Sequence, residues 1–326
     1  MKEYKHSTGT FIGKGGTEIF FQSWTVPSPR GVVVIAHGLG EHSGRYGNLI
    51  ELMKGKGISF YALDHRGHGR SGGRRGHVDS WMDFIYDLKL YVNFVKDDNK
   101  KTPMILLGHS MGGLIACNYA LTYPDDIDAL ILSSGAFIFA VKLPAWKESL
   151  ARSLSKYMPT LAMSNGLNPA DLSHDRETVV SYMSDPLVHD RATARLYTEF
   201  LTASQECLAR AKELRIPMLV FHGRSDRIVD YKGSERIYES APTARKDKSL
   251  YVFPNLFHET MNEAEKDRER VLDIVSRWIV ERVRLAARGA AAKGKQAAGK
   301  HLKKKKAPAK KRRAGKAVSR KKSSKR

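Results

Sequence analysis

Three residues far apart in the chain, Ser110, Asp226 and His258, carry the chemistry this sequence can do. Ser110 sits in Gly108-His109-Ser110-Met111-Gly112. Gly-x-Ser-x-Gly is weak evidence alone, but its setting here is specific. The run Met104-Ile105-Leu106-Leu107, bounded by Pro103 and Gly108, is apolar and too short for a helix core, which predicts a buried parallel strand. Beyond the turn, Leu114, Ile115, Cys117 and Ala120 recur as the packed face of a helix. A serine on a sharp turn between strand and helix is a nucleophile elbow, which strains the backbone and exposes the hydroxyl. Glycines on either side let strand and helix approach. The N–H groups that open the helix favour a developing negative charge.

A serine nucleophile needs a base and a group that orients the base. The apolar run Ile216-Pro217-Met218-Leu219-Val220-Phe221-His222 reads as a strand and leads into Gly223-Arg224-Ser225-Asp226-Arg227-Ile228-Val229-Asp230. An acid in the loop after a strand, downstream of the serine, is the expected orienting group. Asp226 is preferred over its rival Asp230 because it comes first and closes the strand-end turn. The last strand, Ser249 to Phe253, is followed by His258, the expected base. Serine, acid, histidine is the chain order that belongs to this kind of elbow. The N–H groups of Met111 and of Leu39, in the glycine-rich loop His37-Gly38-Leu39-Gly40-Glu41-His42, are the expected oxyanion donors. His37 and His42 precede the nucleophile and read as structural loop residues. The loop from His65 to Gly73 reads as packing: it has neither the ligand cluster of a metal site nor the Gly-Lys-Ser/Thr of a nucleotide loop. No metal or organic cofactor is expected.

The elements that must position these residues are read from the hydrophobic pattern. Residues 9–26 alternate loosely and predict an antiparallel hairpin. Gly31 to Ala36 and Ile58 to Asp64 read as strands, residues 45–56 and Trp81 to Val95 as helices, and Ile127 to Ser133 as a further strand. From residue 31 to 134 strands and helices alternate, which predicts a mostly parallel central sheet flanked by helices, an α/β fold. The rhythm breaks over 136–213, where Trp146, Leu150, Leu154, Tyr157 and Leu161 recur at helical spacing, with Lys142, Lys147, Arg152 and Lys156 elsewhere on the stretch. This predicts a helical cap that lines an acyl pocket, with contact to a membrane surface as an alternative. The expected division is a core over 1–135 and 214–285, the cap over 136–213, and a disordered basic tail over 286–326. Val271 to Leu285 is expected to close the core as an amphipathic helix.

The 326 residues carry a formal charge of +22. Residues 286–326 contain 18 Lys or Arg and no Asp or Glu, leaving 38 basic against 34 acidic residues before them. The body is near neutral and the charge belongs to the tail. Two cysteines, Cys117 and Cys207, form no framework and suit a reduced cytoplasmic setting. No secretory signal and no membrane-length apolar run is read.

Five stretches together resemble a known family: His37 to Tyr46, Asp64 to Ser71, Gly108 to Gly113, Ser184 to Val188 and His222 to Asp226. Over residues 10–282 the chain resembles the monoacylglycerol lipase and lysophospholipase family of the α/β-hydrolase fold, bacterial monoacylglycerol lipases above all. The resemblance implies Ser110 as nucleophile, Asp226 and His258 as its relay, and Leu39 and Met111 as oxyanion donors. It also implies that Glu41 and Arg45 lie near the glycerol end of a monoacylglycerol substrate. Lysophospholipase or general carboxylesterase activity is the alternative within the fold. The tail has no counterpart in the family. It lacks aromatic residues for base stacking, and charge alone would bind nucleic acid or anionic lipid. The sequence leans to a peripheral lipid contact, with nucleic acid, or a tail that only solubilises, as alternatives.

Overall fold

A computed structural model describes residues 3–140 and 144–305. Lys142 and the tail after Lys305 lie outside the described residues, and with them most of the expectation of disorder. Among the described residues, those up to Ala286 form one compact unit, and those from Ala287 on are not part of it.

The first unit is built on eight strands: β1 (Lys5–Ile12), β2 (Glu18–Thr25), β3 (Gly31–Ala36), β4 (Ile58–Leu63), β5 (Met104–His109), β6 (Ala129–Ser133), β9 (Met218–Gly223) and β10 (Lys248–Phe253). They lie in the order β1-β2-β4-β3-β5-β6-β9-β10. The β1–β2 hairpin is antiparallel and pairs antiparallel with β4. From β4 to β10 every neighbouring pair is parallel. The predicted hairpin and parallel core are both present.

The central strands are apolar throughout because both faces of the sheet are covered. Val32 and Val34 of β3 face the side of α2 (Trp81–Asp98) and α3 (Met111–Thr122). Val33 and Ile35 face the other side, with α1 (Gly47–Leu52) and α8 (Glu265–Lys305). Met104 and Leu106 against Ile105 and Leu107 repeat the division in β5. The helix read over 45–56 is shorter: a 3₁₀ turn over Ser43–Tyr46 precedes the six residues of α1. Between β6 and β9 lie α4 (Ala145–Tyr157), β7 (Ala162–Ser164), α5 (Arg176–Ser184), β8 (Arg191–Thr193) and α6 (Ala194–Arg210). β7 and β8 pair as a small antiparallel ribbon that the sequence hides, since three residues are too few to show alternation. α7 (Lys232–Ser240) joins β9 to β10.

Parallel strands end at one edge of the sheet, so the loops after β3, β4, β5, β9 and β10 share that edge. Open α/β sheets bind their ligands there.

Candidate active site

Ser110 stands between β5 and α3 at φ 54°, ψ −120°, a left-handed conformation that a residue with a Cβ holds only under constraint. The constraint is visible on all sides. The Ser110 N–H donates to the Ser133 carbonyl at 3.0 Å, and the Ala136 N–H donates to the Ser110 carbonyl at 3.0 Å. A Cβ on Gly112 would stand 2.0 Å from the Ala36 carbonyl, and one on Gly108 would stand 2.2 Å from the Gly112 carbonyl. Only glycine lets the elbow close against β3. Met111 is the first residue of α3, so its N–H is among those that have no partner within the helix.

Asp226 and His258 come from the loops after β9 and β10 and meet with His258 Nδ1 2.6 Å from Asp226 Oδ2. A carboxylate only accepts, so Nδ1 carries the proton and Nε2 is left as a base. Oδ2 is also 3.0 Å from His222 Nε2, and the backbone N–H groups of Ile228 and Val229 donate to Oδ1 at 2.8 and 3.0 Å. Burial opposes a charge on Asp226, but His258 and then His222 outweigh it and hold the carboxyl well below the usual range. Burial likewise opposes a charged His258; Asp226 outweighs it, Glu259 and Glu41 add to the effect, and the imidazole sits above its ordinary value. Asp230 is elsewhere: its Oδ1 accepts the Lys232 N–H at 3.0 Å at the start of α7.

The elbow and the histidine loop are joined. The His109 ring lies 4.9 Å from the His258 ring, and the Ser134 hydroxyl donates to the His258 carbonyl at 2.7 Å. On the other flank, Gly38 stands against Ser110, where an added Cβ would be 3.1 Å from the Ser110 Cβ. Glu41 Oε1 accepts the Gly38 N–H at 2.6 Å and the Tyr46 hydroxyl at 3.0 Å, which fixes the loop that carries Leu39. Arg45 is 3.4 Å from Glu41 and pairs with both oxygens of Glu259, at 2.6 and 3.0 Å. Its guanidinium lies 4.7 Å from the ring centre of Tyr182 on α5. Glu41 and Arg45 thus tie the Leu39 loop to the residue after His258 and to the insertion.

His37 and His42 are loop supports. His37 Nε2 accepts the His65 N–H at 2.8 Å, and His42 Nε2 is 2.8 Å from Asp185 Oδ2. Several supporting residues escape a reading of the sequence. His222 is fully buried between Asp226 and Ser234, whose hydroxyl is 2.8 Å from His222 Nδ1. Ser134, Glu259 and Tyr182 also touch this frame. Only His222 left a trace, four residues before Asp226 at a strand end.

A hydroxyl on a strained turn, an imidazole with its tautomer set by a carboxylate, and N–H groups at a helix start are the parts needed for acyl transfer. A family model described as serine aminopeptidase, S33 (Hydrolase_4) matches residues 27–265. The chain belongs to this family. This S33-type hydrolase is similar to the monoacylglycerol lipase of Mycolicibacterium smegmatis, with 38% identity over 282 residues, 86% of this chain and 99% of the relative. It is 30% identical to the monoglyceride lipase of Rattus norvegicus, over 84% of this chain and 91% of that one. Among solved structures, the monoacylglycerol lipase of Paleococcus ferrophilus superposes with a TM-score of 0.72 at 34% identity, covering 86% of this chain and 100% of that one. The fold is that of an α/β hydrolase. No helix among the described residues is long and apolar enough to cross a membrane.

Proposed function

We propose that the chain hydrolyses the ester bond of monoacylglycerols to fatty acid and glycerol, with Ser110 as nucleophile. The observation that carries this is the coupling of Asp226 to His258 Nδ1 at 2.6 Å, with the His258 ring 4.9 Å from that of His109, the residue before a serine on a strained turn. The lipases named above support the substrate class.

His258 Nε2 takes the Ser110 proton as the oxygen attacks the ester carbonyl. Asp226 holds the imidazole tautomer and stabilises the imidazolium. The N–H groups of Leu39 and Met111 receive the oxyanion. His258 returns the proton to the leaving glycerol, and water activated by the same histidine releases the fatty acid. Glu41 and Arg45 lie at the glycerol end, where they hold the Leu39 loop. Residues 136–213 act as the cap. On α4, Trp146, Leu150 and Tyr157 are exposed, and Lys147 and Lys156 lie over the rings of Trp146 and Tyr157. That apolar, basic face suits peripheral contact with a lipid surface.

The test is initial rates on a long-chain monoacylglycerol, the matching diacylglycerol, a lysophospholipid, an aminoacyl amide and a short nitrophenyl ester, each with wild type and Ser110→Ala. Serine-dependent preference for the monoacylglycerol is expected. Preference for the lysophospholipid or the amide, or activity confined to the short ester, would overturn the substrate assignment and keep the nucleophile. Undiminished activity in Ser110→Ala would overturn both.

A further inference from the structure

A single polar side chain interrupts the apolar strand β9. Met218, Leu219, Val220 and Phe221 are fully buried, and His222 is fully buried beside them. A buried imidazole costs free energy unless its ring nitrogens find partners. Both of these do. Nε2 lies 3.0 Å from Asp226 Oδ2, and Nδ1 lies 2.8 Å from the hydroxyl of Ser234 on α7, itself fully buried. An ionised carboxylate only accepts, so Nε2 carries a proton. In the neutral ring Nδ1 is an acceptor, and the Ser234 hydroxyl is its donor.

The Asp226 carboxylate is therefore approached by donors from two sides. Oδ1 takes the N–H groups of Ile228 and Val229 on its own loop, and Oδ2 takes two imidazoles, His258 at 2.6 Å and His222 at 3.0 Å. The surrounding backbone is fixed without His222. The Arg224 N–H donates to the Phe253 carbonyl at 2.8 Å, and the Ser225 N–H to the Leu256 carbonyl at 3.1 Å. A Cβ on Gly223 would stand 2.2 Å from the Leu256 and Phe257 carbonyls. Main-chain contacts thus join the loops that carry Asp226 and His258. What the second imidazole adds is a donor on the same oxygen that His258 uses.

We propose that His222 is a further positioning residue of the reaction, acting through Asp226: its Nε2–H shares Oδ2 with the His258 Nδ1–H, keeps that oxygen turned to the base and draws off part of the negative charge that faces it. His222 has this role only if Ser110, His258 and Asp226 form the relay proposed above. No proton travels along His222, because its far nitrogen ends on Ser234, which has no exposed surface. The consequence is on basicity. His258 must be neutral to take the Ser110 proton, and an undivided Asp226 charge would hold it protonated to higher pH. The other charges around His258 are Glu259 on its own loop, Glu41 from the Leu39 loop, Arg45, which pairs with both glutamates, and the His109 ring of the elbow. Glu263, which accepts the Phe257 N–H, is paired with His174. None of these touches His222, so its effect can be read against them.

The experiment measures kcat and KM of the full chain on a short nitrophenyl ester between about pH 5 and pH 8, for wild type, His222→Leu, His222→Gln and Ser234→Ala. His222→Leu removes the donor. It is expected to lower kcat by about ten- to hundredfold, as the loss of a hydrogen bond to a charged group implies. KM should stay within about twofold, and the acid limb of kcat/KM should move to higher pH. His222→Gln keeps an N–H that reaches Oδ2 and is expected to return the limb to its wild-type position. Ser234→Ala removes the donor to Nδ1, which weakens the Nε2–H, and should move the limb the same way by less. A limb that stays in place or moves to lower pH in His222→Leu would overturn the role of His222, as would a limb that His222→Gln does not restore. Should His222→Leu fail to fold, the limb of Ser234→Ala decides by the same signs. Failure of the relay itself looks different: ester turnover that persists in Ser110→Ala would remove it, whatever the His222 variants do.

Discussion

Asp226 is enclosed and meets two imidazoles and two backbone N–H groups, whereas Trp146 on α4 leaves 64% of its surface to solvent. The two belong to one edge of the molecule, yet they are built in opposite ways. At the ends of β3, β9 and β10, buried polar groups are held by partners on their own loop or on a neighbouring element: Glu41 by Gly38 and Tyr46, Glu259 by Arg45, His222 by Ser234 of α7. Leaving such a group unpaired costs more than the bond contributes, so the arrangement is rigid. On α4 one face packs on α6, where the Ser155 and Thr198 hydroxyls are 2.7 Å apart. The other face presents Trp146, Leu150 and Tyr157 to solvent. The proposed chemistry lies where partners hold each polar group, and the proposed lipid contact where apolar side chains stay uncovered.

That contrast can be broken most sharply at the rigid end. Ser110→Ala should lower kcat on any ester by about 10⁶, measured by single-turnover hydrolysis. Asp226→Asn should cost about 10⁴, because the amide sets the wrong imidazole tautomer. Asp230→Asn should stay within about twofold, since Asp230 only accepts the Lys232 N–H. Equal losses in the two variants would remove the preference for Asp226.

At the open end the expected effects are smaller. Trp146→Ala/Tyr157→Ala should slow hydrolysis of vesicle-borne monoacylglycerol by about tenfold, the equivalent of ~1.4 kcal/mol of interfacial burial. It should leave a soluble short ester unchanged. A matching loss on both substrates would make α4 part of the rigid frame. The last effect concerns pH. His258 must be neutral to act as a base, and it lies above the ordinary histidine value, in part through Glu259 and Glu41. The acid limb of kcat/KM should therefore fall at a pH above that of a free histidine. Glu259→Gln removes one negative neighbour and lowers the His258 pKa, so the limb should move to lower pH. An unmoved limb would show that Arg45 already cancels the Glu259 charge at His258.

Much of this was legible in the order of residues. The alternation of β3, β4, β5 and β6 with helices and the strand–turn–helix around Ser110 rest on local rules of periodicity and turn geometry, which neighbouring residues state directly. Asp226 and His258 could be named because each lies just past a strand of the sheet, and parallel strands bring such positions to one edge. The meeting of His222 with Asp226, of Ser134 with the His258 carbonyl, and of Arg45 with Glu259 and Tyr182 could not be read in the same way. Arg45 and Glu259 are 214 positions apart. No period links them; only the closure of the sheet sets them side by side, and only the exclusion of water makes their pairing matter. The basic composition of the tail is likewise written in the sequence. That Val283 of α8 packs against Gly31 at the start of β3 was decided by the tertiary structure, because the covering of the sheet by α8, and no period in the sequence, brings the two together.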